Sequence, residues 1–105
     1  MKQAIEMASF RLNAGVTEQQ LLKASASLQE DFLSKQQGFI RRELVRGPGN
    51  EWLDVVYWSN KVSAEAAMKN AVESPACHLY FQLIEAEDHT HPENGVTIYE
   101  CVSSY

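Results

Sequence analysis

Residues 51–59, EWLDVVYWS, constrain this chain more than any other segment. The run is rich in β-branched and aromatic residues, which marks a strand. Side chains alternate faces along a strand, so Trp52, Asp54, Val56 and Trp58 share one side. Leu53, Val55 and Tyr57 share the other. Both sides are largely apolar, and a strand of that kind is covered on both. Whatever fold the chain adopts must place a layer over each face of this strand.

The flanking sequence supplies its neighbours. Residues 39–46, FIRRELVR, form a second β-rich run, and Gly47-Pro48-Gly49-Asn50 between the two is a turn cluster. A β-hairpin follows. Residues 3–13 predict another strand, with Ile5, Met7 and Ser9 on one face and Glu6, Ala8, Phe10 and Leu12 on the other. Asn13-Ala14-Gly15 turns the chain. Thr17 then opens a helix through a capping box with Gln20, and Val16 and Leu21 sit where a hydrophobic staple forms. Leu21, Ser25, Leu28 and Phe32 make its buried stripe, widened by Leu22 and Leu33. The helix is expected to run to about Gln36, with Gly38 as the left-handed residue beyond it. Residues 63–74 are Ala-rich and helical, with Ser63 as N-cap and Pro75 as terminator. Ser74 and Pro75 restart the chain as a third helix reaching about Ile84. Residues 85–95 read as a polar loop, and residues 96–102 as a closing strand.

The order β-α-β-β-α-(α)-β is that of an α+β, ferredoxin-like βαββαβ antiparallel sheet with helices on one face. Residues 1–105 make one domain. Because the helices cover only one face, the second apolar face calls for another subunit, and an isologous homodimer packed sheet against sheet supplies it. The net charge of −5, with nine Lys and Arg, argues against nucleic acid as a partner. No run is long enough to span a membrane. Residues 1–6 lack the apolar core of an export signal. The expectation is a cytoplasmic protein whose Cys77 and Cys101 are free thiols.

Ala14-Gly15-Val16-Thr17-Glu18, Gln37-Gly38-Phe39-Ile40-Arg41-Arg42-Glu43-Leu44 and Trp52-Leu53-Asp54-Val55-Val56-Tyr57-Trp58-Ser59 resemble the antibiotic biosynthesis monooxygenase (ABM) family. Ala64, Ala66, Ala67 and the aromatic third helix extend the resemblance over most of the chain. It implies a dimeric α+β barrel, in which two four-stranded sheets close around a shared interior. It also implies a chemically mixed family. Some members oxidise polycyclic phenols with O₂ and no cofactor, some degrade haem, and others are isomerases or have no known activity. The haem-degrading branch uses an Asn, a Trp and a His at positions falling near Phe10, Ala67 and His78, of which only the His is matched.

Several side chains are candidates for chemistry. His78, on an aromatic helix, is either a pocket base or axial ligand, or a histidine at the helix edge. Asp54 and Glu6 stand on strands where apolar residues are expected. Each is either a buried base of raised pKa or half of an ion pair with Arg11, Arg41 or Arg42. Phe10, Trp52, Trp58 and Phe81 are candidate walls of an aromatic ligand site, with core packing as the alternative for Phe10 and Trp58. His89-Thr90-His91, near Glu87, Asp88 and Glu93, has metal-ligand chemistry in a polar loop setting. The leading functional expectation is a cofactor-independent monooxygenase-like enzyme for a small aromatic or apolar molecule, with His78 or Asp54 as base. A non-catalytic binder or sensor on the same barrel is the alternative, and haem binding a third.

Overall fold

The computed structural model describes residues 2–85 and 95–105. Strands β1 (Ala4–Leu12), β2 (Phe39–Arg46), β3 (Glu51–Trp58), β4 (Ile84–Glu85) and β5 (Val96–Glu100) form one antiparallel sheet. Its order is β2-β3-β1, and β4 and β5 share the far edge of β1. Helices α1 (Glu18–Asp31), α2 (Lys61–Ala71) and α3 (Pro75–Gln82) complete the α+β, ferredoxin-like arrangement expected from the sequence.

Local chemistry explains the helix ends. The Thr17 hydroxyl accepts from the Gln20 backbone N–H at 3.1 Å, and the Gln20 side chain accepts from the Thr17 N–H at 2.8 Å. The capping box forms as read. The Ser74 hydroxyl likewise accepts from the Cys77 N–H, with Pro75 in the first turn of α3. Three boundaries differ from expectation. Helix α3 ends at Gln82, and Ile84–Glu85 pair with β1 as β4 rather than ending a helix and opening a loop. Helix α1 ends at Asp31 and passes through Phe32 into a short 3-10 turn, Leu33–Lys35, rather than continuing to Gln36. Helix α2 starts at Lys61, because Asn60 rather than Ser63 is its N-cap; the Asn60 side chain accepts from the Ser63 N–H at 2.8 Å. Leu22 also departs from expectation: it is exposed, and only Leu21, Ser25 and Leu28 of α1 are buried. Cys77 and Cys101 are free thiols.

One irregularity in β2 sets the whole inner face. Phe39 pairs with Trp58, Arg41 with Tyr57 and Arg42 with Val56, so Ile40 is an extra residue in a β-bulge. A bulge shifts the alternation by one. Phe39 and Arg42 consequently face the same side, although strict alternation would oppose them. The inner face then reads in rows: Phe39, Trp58, Ala4; Arg42, Val56, Glu6; Leu44, Asp54, Ala8; Arg46, Trp52, Phe10. Leu21, Leu28, Phe32, Leu33, Ala64, Ala67, Cys77 and Tyr80 pack over these rows as the core. Ala64 and Ala67 let α2 approach closely, since they carry no more than a methyl group.

The other sheet face carries Ile5, Met7, Leu53, Val55, Tyr57 and Tyr99. Val55 and Val56 are both buried, while Tyr99 is half exposed. Among the described residues no helix is long and apolar enough to cross a membrane.

Candidate active site

A cavity of about 110 Å³ lies between the sheet and the three helices. Small side chains make the space: Ala8 and Val56 below, Ala67 and Ala71 on α2. Phe10, Phe32, Phe81, Leu28 and Met68 supply apolar walls, and Trp58 and Cys77 also border it. Four of its lining residues carry the polar chemistry: Glu6, Arg42, Asp54 and Tyr80.

Three of those four are committed to one another. Asp54 accepts from Arg42 at both oxygens, Nε to Oδ1 at 2.7 Å and Nη2 to Oδ2 at 3.3 Å. This two-point geometry is the strong form of a charge-assisted pair. The Tyr80 hydroxyl donates to Asp54 Oδ2 at 2.6 Å and accepts from Arg42 Nη2 at 3.2 Å. Arg42 Nη1 donates to the Ser25 carbonyl at 3.2 Å, tying the sheet to α1. Burial alone would lower the Arg42 pKa, but its bonds to Asp54 and Tyr80 more than offset that. Burial raises the Tyr80 hydroxyl strongly, and the neighbouring Asp54 raises it further, so the phenol keeps its proton.

Glu6 is different. It projects from β1 into the cavity, half-buried, and its Oε1 accepts from the Trp58 indole N–H at 3.0 Å. Among the described residues its carboxyl makes no other hydrogen bond, and it has no cation partner. Desolvation by burial raises its pKa above the ordinary glutamate value; the nearby Asp54 adds to the rise, while Trp58 and Arg42 reduce it. A carboxyl with raised pKa and one uncommitted oxygen can take and return a proton inside a water-poor space.

The expected site residues divide accordingly. Phe10, Trp58 and Phe81 border the cavity, and so does Asp54. Asp54 is the partner of Arg42, so the ion-pair alternative is the one the structure shows, and its carboxylate is spent there. The placement of His78 is corrected: it is exposed, with Nε2 against the Val72 carbonyl, and does not border the cavity. Adjacent helical residues point about 100° apart. With Cys77 and Tyr80 buried against the sheet, His78 turns outward. Trp52 is also corrected as a cavity wall. It is buried on the inner face but lies beyond the cavity, with the Arg46 guanidinium 5.7 Å from its ring centre. Glu6 is legible in the sequence as a carboxyl on the same strand face as Ala8 and Phe10.

Among the described residues the site does not fit haem. His78, the histidine read as an axial ligand, faces away from the cavity, and a macrocycle greatly exceeds the space between Phe10, Phe81 and Met68. Among the described residues no group of three His, Cys, Asp or Glu side chains could hold a metal ion. His89, His91, Glu87, Asp88 and Glu93 lie outside the described residues.

No family model matches the chain, and no curated protein matches it by sequence. Solved structures do match it by fold. SnoaB, a cofactor-independent oxygenase from Streptomyces nogalater, superposes with a TM-score of 0.75 at 14% identity, covering 99% of this chain and 97% of that one. A protein from Bordetella bronchiseptica, provisionally named an antibiotic biosynthesis monooxygenase, gives 0.74 at 13% identity over 100% of both chains. Protein SO0527 from Shewanella oneidensis gives 0.64 at 24% identity, covering 95% of this chain and 91% of that one. At such identities the likeness establishes the fold, and at that level the resemblance read from the sequence is borne out.

Proposed function

We propose that this chain is a small oxygenase-like enzyme that oxidises an aromatic molecule with O₂, without a bound metal or flavin, and that Glu6 is its base. One observation carries the reading: beside the mutually paired Arg42, Asp54 and Tyr80, Glu6 lines the cavity with a carboxyl of raised pKa, one oxygen of which has no partner among the described residues. The fold shared with SnoaB supports it.

The proposed chemistry begins when Glu6 takes the hydroxyl proton of an electron-rich phenol. The phenolate passes one electron to O₂, giving a phenoxyl radical and superoxide. Their recombination at a ring carbon forms a C–O bond, and the peroxide recovers the proton from Glu6. Loss of the ring C–H proton breaks the O–O bond and releases the outer oxygen as water. One oxygen atom stays on the ring, now a quinone, and the other leaves in water. The apolar walls hold the ring and exclude solvent. Arg42, Asp54 and Tyr80 form a rigid floor whose charges cancel.

Oxygen uptake with an electron-rich phenol tests the proposal. Glu6→Gln keeps the acceptor for Trp58 but cannot take a proton, and is expected to slow uptake by about 10²- to 10⁴-fold. Uptake unchanged in Glu6→Gln would remove Glu6 as base. A second reading, a non-catalytic binder, draws on the mutual pairing of Arg42, Asp54 and Tyr80, which leaves few groups for chemistry. It predicts saturable phenol binding and no uptake by the wild-type chain. In either reading a second copy of the chain covers the face of Ile5, Met7, Leu53, Val55 and Tyr57, since all three helices lie on the opposite face.

A further inference from the structure

We infer that the cavity selects an uncharged single ring bearing one hydroxyl donor, and discriminates against carboxylates, ammonium groups and fused rings. The inference rests on the proposal that this cavity holds the small molecule, and narrows what that molecule is.

Free donors are scarce around the cavity. A carboxylate or phosphate ligand needs N–H or O–H donors. Four of the five guanidinium N–H groups of Arg42 are used, two on Asp54, one on Tyr80 and one on Ser25. The fifth sits on Nη1, the nitrogen drawn toward α1 by the Ser25 carbonyl. The Trp58 N–H is spent on Glu6, and the Tyr80 hydroxyl on Asp54. Among the described residues only the weakly donating Cys77 thiol remains beside the space. An anion there would meet two carboxyl side chains and lack partners of its own.

Glu6 offers one carboxyl oxygen with no partner among the described residues. A hydroxyl has one hydrogen to donate and matches it. An ammonium group brings a full charge, and taking it out of water among Phe10, Phe81 and Leu28 costs more than pairing with one carboxyl returns.

A cavity of roughly 150 Å³ lined by aliphatic and aromatic side chains accommodates benzene. The space here is about 110 Å³. A single ring fills that space, and a second fused ring exceeds it.

Calorimetric titration under nitrogen separates binding from turnover. The probes are phenol, benzoate, benzylamine and 1-naphthol. Phenol is expected to saturate the wild-type chain, and each of the others to bind at least ten-fold more weakly. Glu6→Ala is expected to weaken phenol at least ten-fold. Ala71→Leu, which fills the space from α2, is expected to abolish phenol binding, with circular dichroism verifying that both variants are folded. Benzoate, benzylamine or 1-naphthol binding as tightly as phenol would overturn the selection. Phenol failing to saturate, or binding unchanged in Glu6→Ala or Ala71→Leu, would overturn it too. Phenol bound without oxygen uptake would sink the oxidation and leave this inference standing. Uptake driven by benzoate would do the reverse.

Discussion

Replacing Asp54 with alanine isolates the energetics of the cavity floor. The Arg42 side chain is 6% exposed and the Asp54 side chain 11%, so solvent cannot screen a lost partner. Asp54→Ala leaves the guanidinium with only the Ser25 carbonyl and the Tyr80 hydroxyl. Breaking a buried pair in this way costs about 3–5 kcal/mol. The whole stability of a domain this size is about 5–15 kcal/mol. At about 4–8 °C per kcal/mol, the melting temperature should fall by at least roughly 12 °C. Removing every member of the network should behave differently. Arg42→Met, Asp54→Leu and Tyr80→Phe together remove both charges of the pair and the hydroxyl between them, and apolar replacement of a buried pair is often neutral or stabilising. The triple variant should therefore melt above Asp54→Ala. Thermal and urea unfolding followed by circular dichroism measure both. An Asp54→Ala variant within about 1 kcal/mol of wild type, or a triple variant less stable than it, would refute the reasoning.

Three further predictions concern other parts of the molecule. The raised pKa of Glu6 means its stabilising contribution is fully present below the unfolded value of about 4.3 and is lost as pH rises through the folded value. Glu6→Gln should match wild type near pH 4 and exceed its stability toward neutrality in urea unfolding; parallel curves would contradict this. Gly38 sits at φ +84°, and a methyl group there would overlap the Ser63 side chain, so Gly38→Ala should cost more than the ~1–2 kcal/mol of a left-handed residue. Gly15, at φ +86° with open space around it, serves as the comparison and should cost no more than about that amount. If a second copy covers the outer sheet face, wild type should sediment at twice 11.9 kDa and Val55→Glu as a single chain. A wild-type chain sedimenting singly would refute the proposed dimer.

Local sequence determined most of the elements. Thr17 and Gln20 cap α1 within four residues of each other, and Ser74 with Pro75 opens α3, so no distant contact is needed to read them. The two-faced β3 strand was equally legible, because alternation is a local property. Asn60 was harder. Asn60 and Ser63 are both good caps, and where the chain leaves β3 chooses between them. Which face of α3 is buried was not legible at all. Leu79 is more apolar than Cys77 or Tyr80, yet Leu79 is 60% exposed and Tyr80 2%. Docking against the sheet decides that, and with it the outward turn of His78. Glu6 and Asp54 both stood out as carboxylates among apolar strand residues. Their separation into an unpaired carboxyl, among the described residues, and an ion-pair partner depends on Ile40. The extra residue turns Arg42 inward beside Phe39 and hands its charge to Asp54, while Glu6, two residues along β1 from Asp54's partner Ala8, has no paired cation among the described residues. A bulge is set by pairing across strands, so only the assembled sheet could decide it.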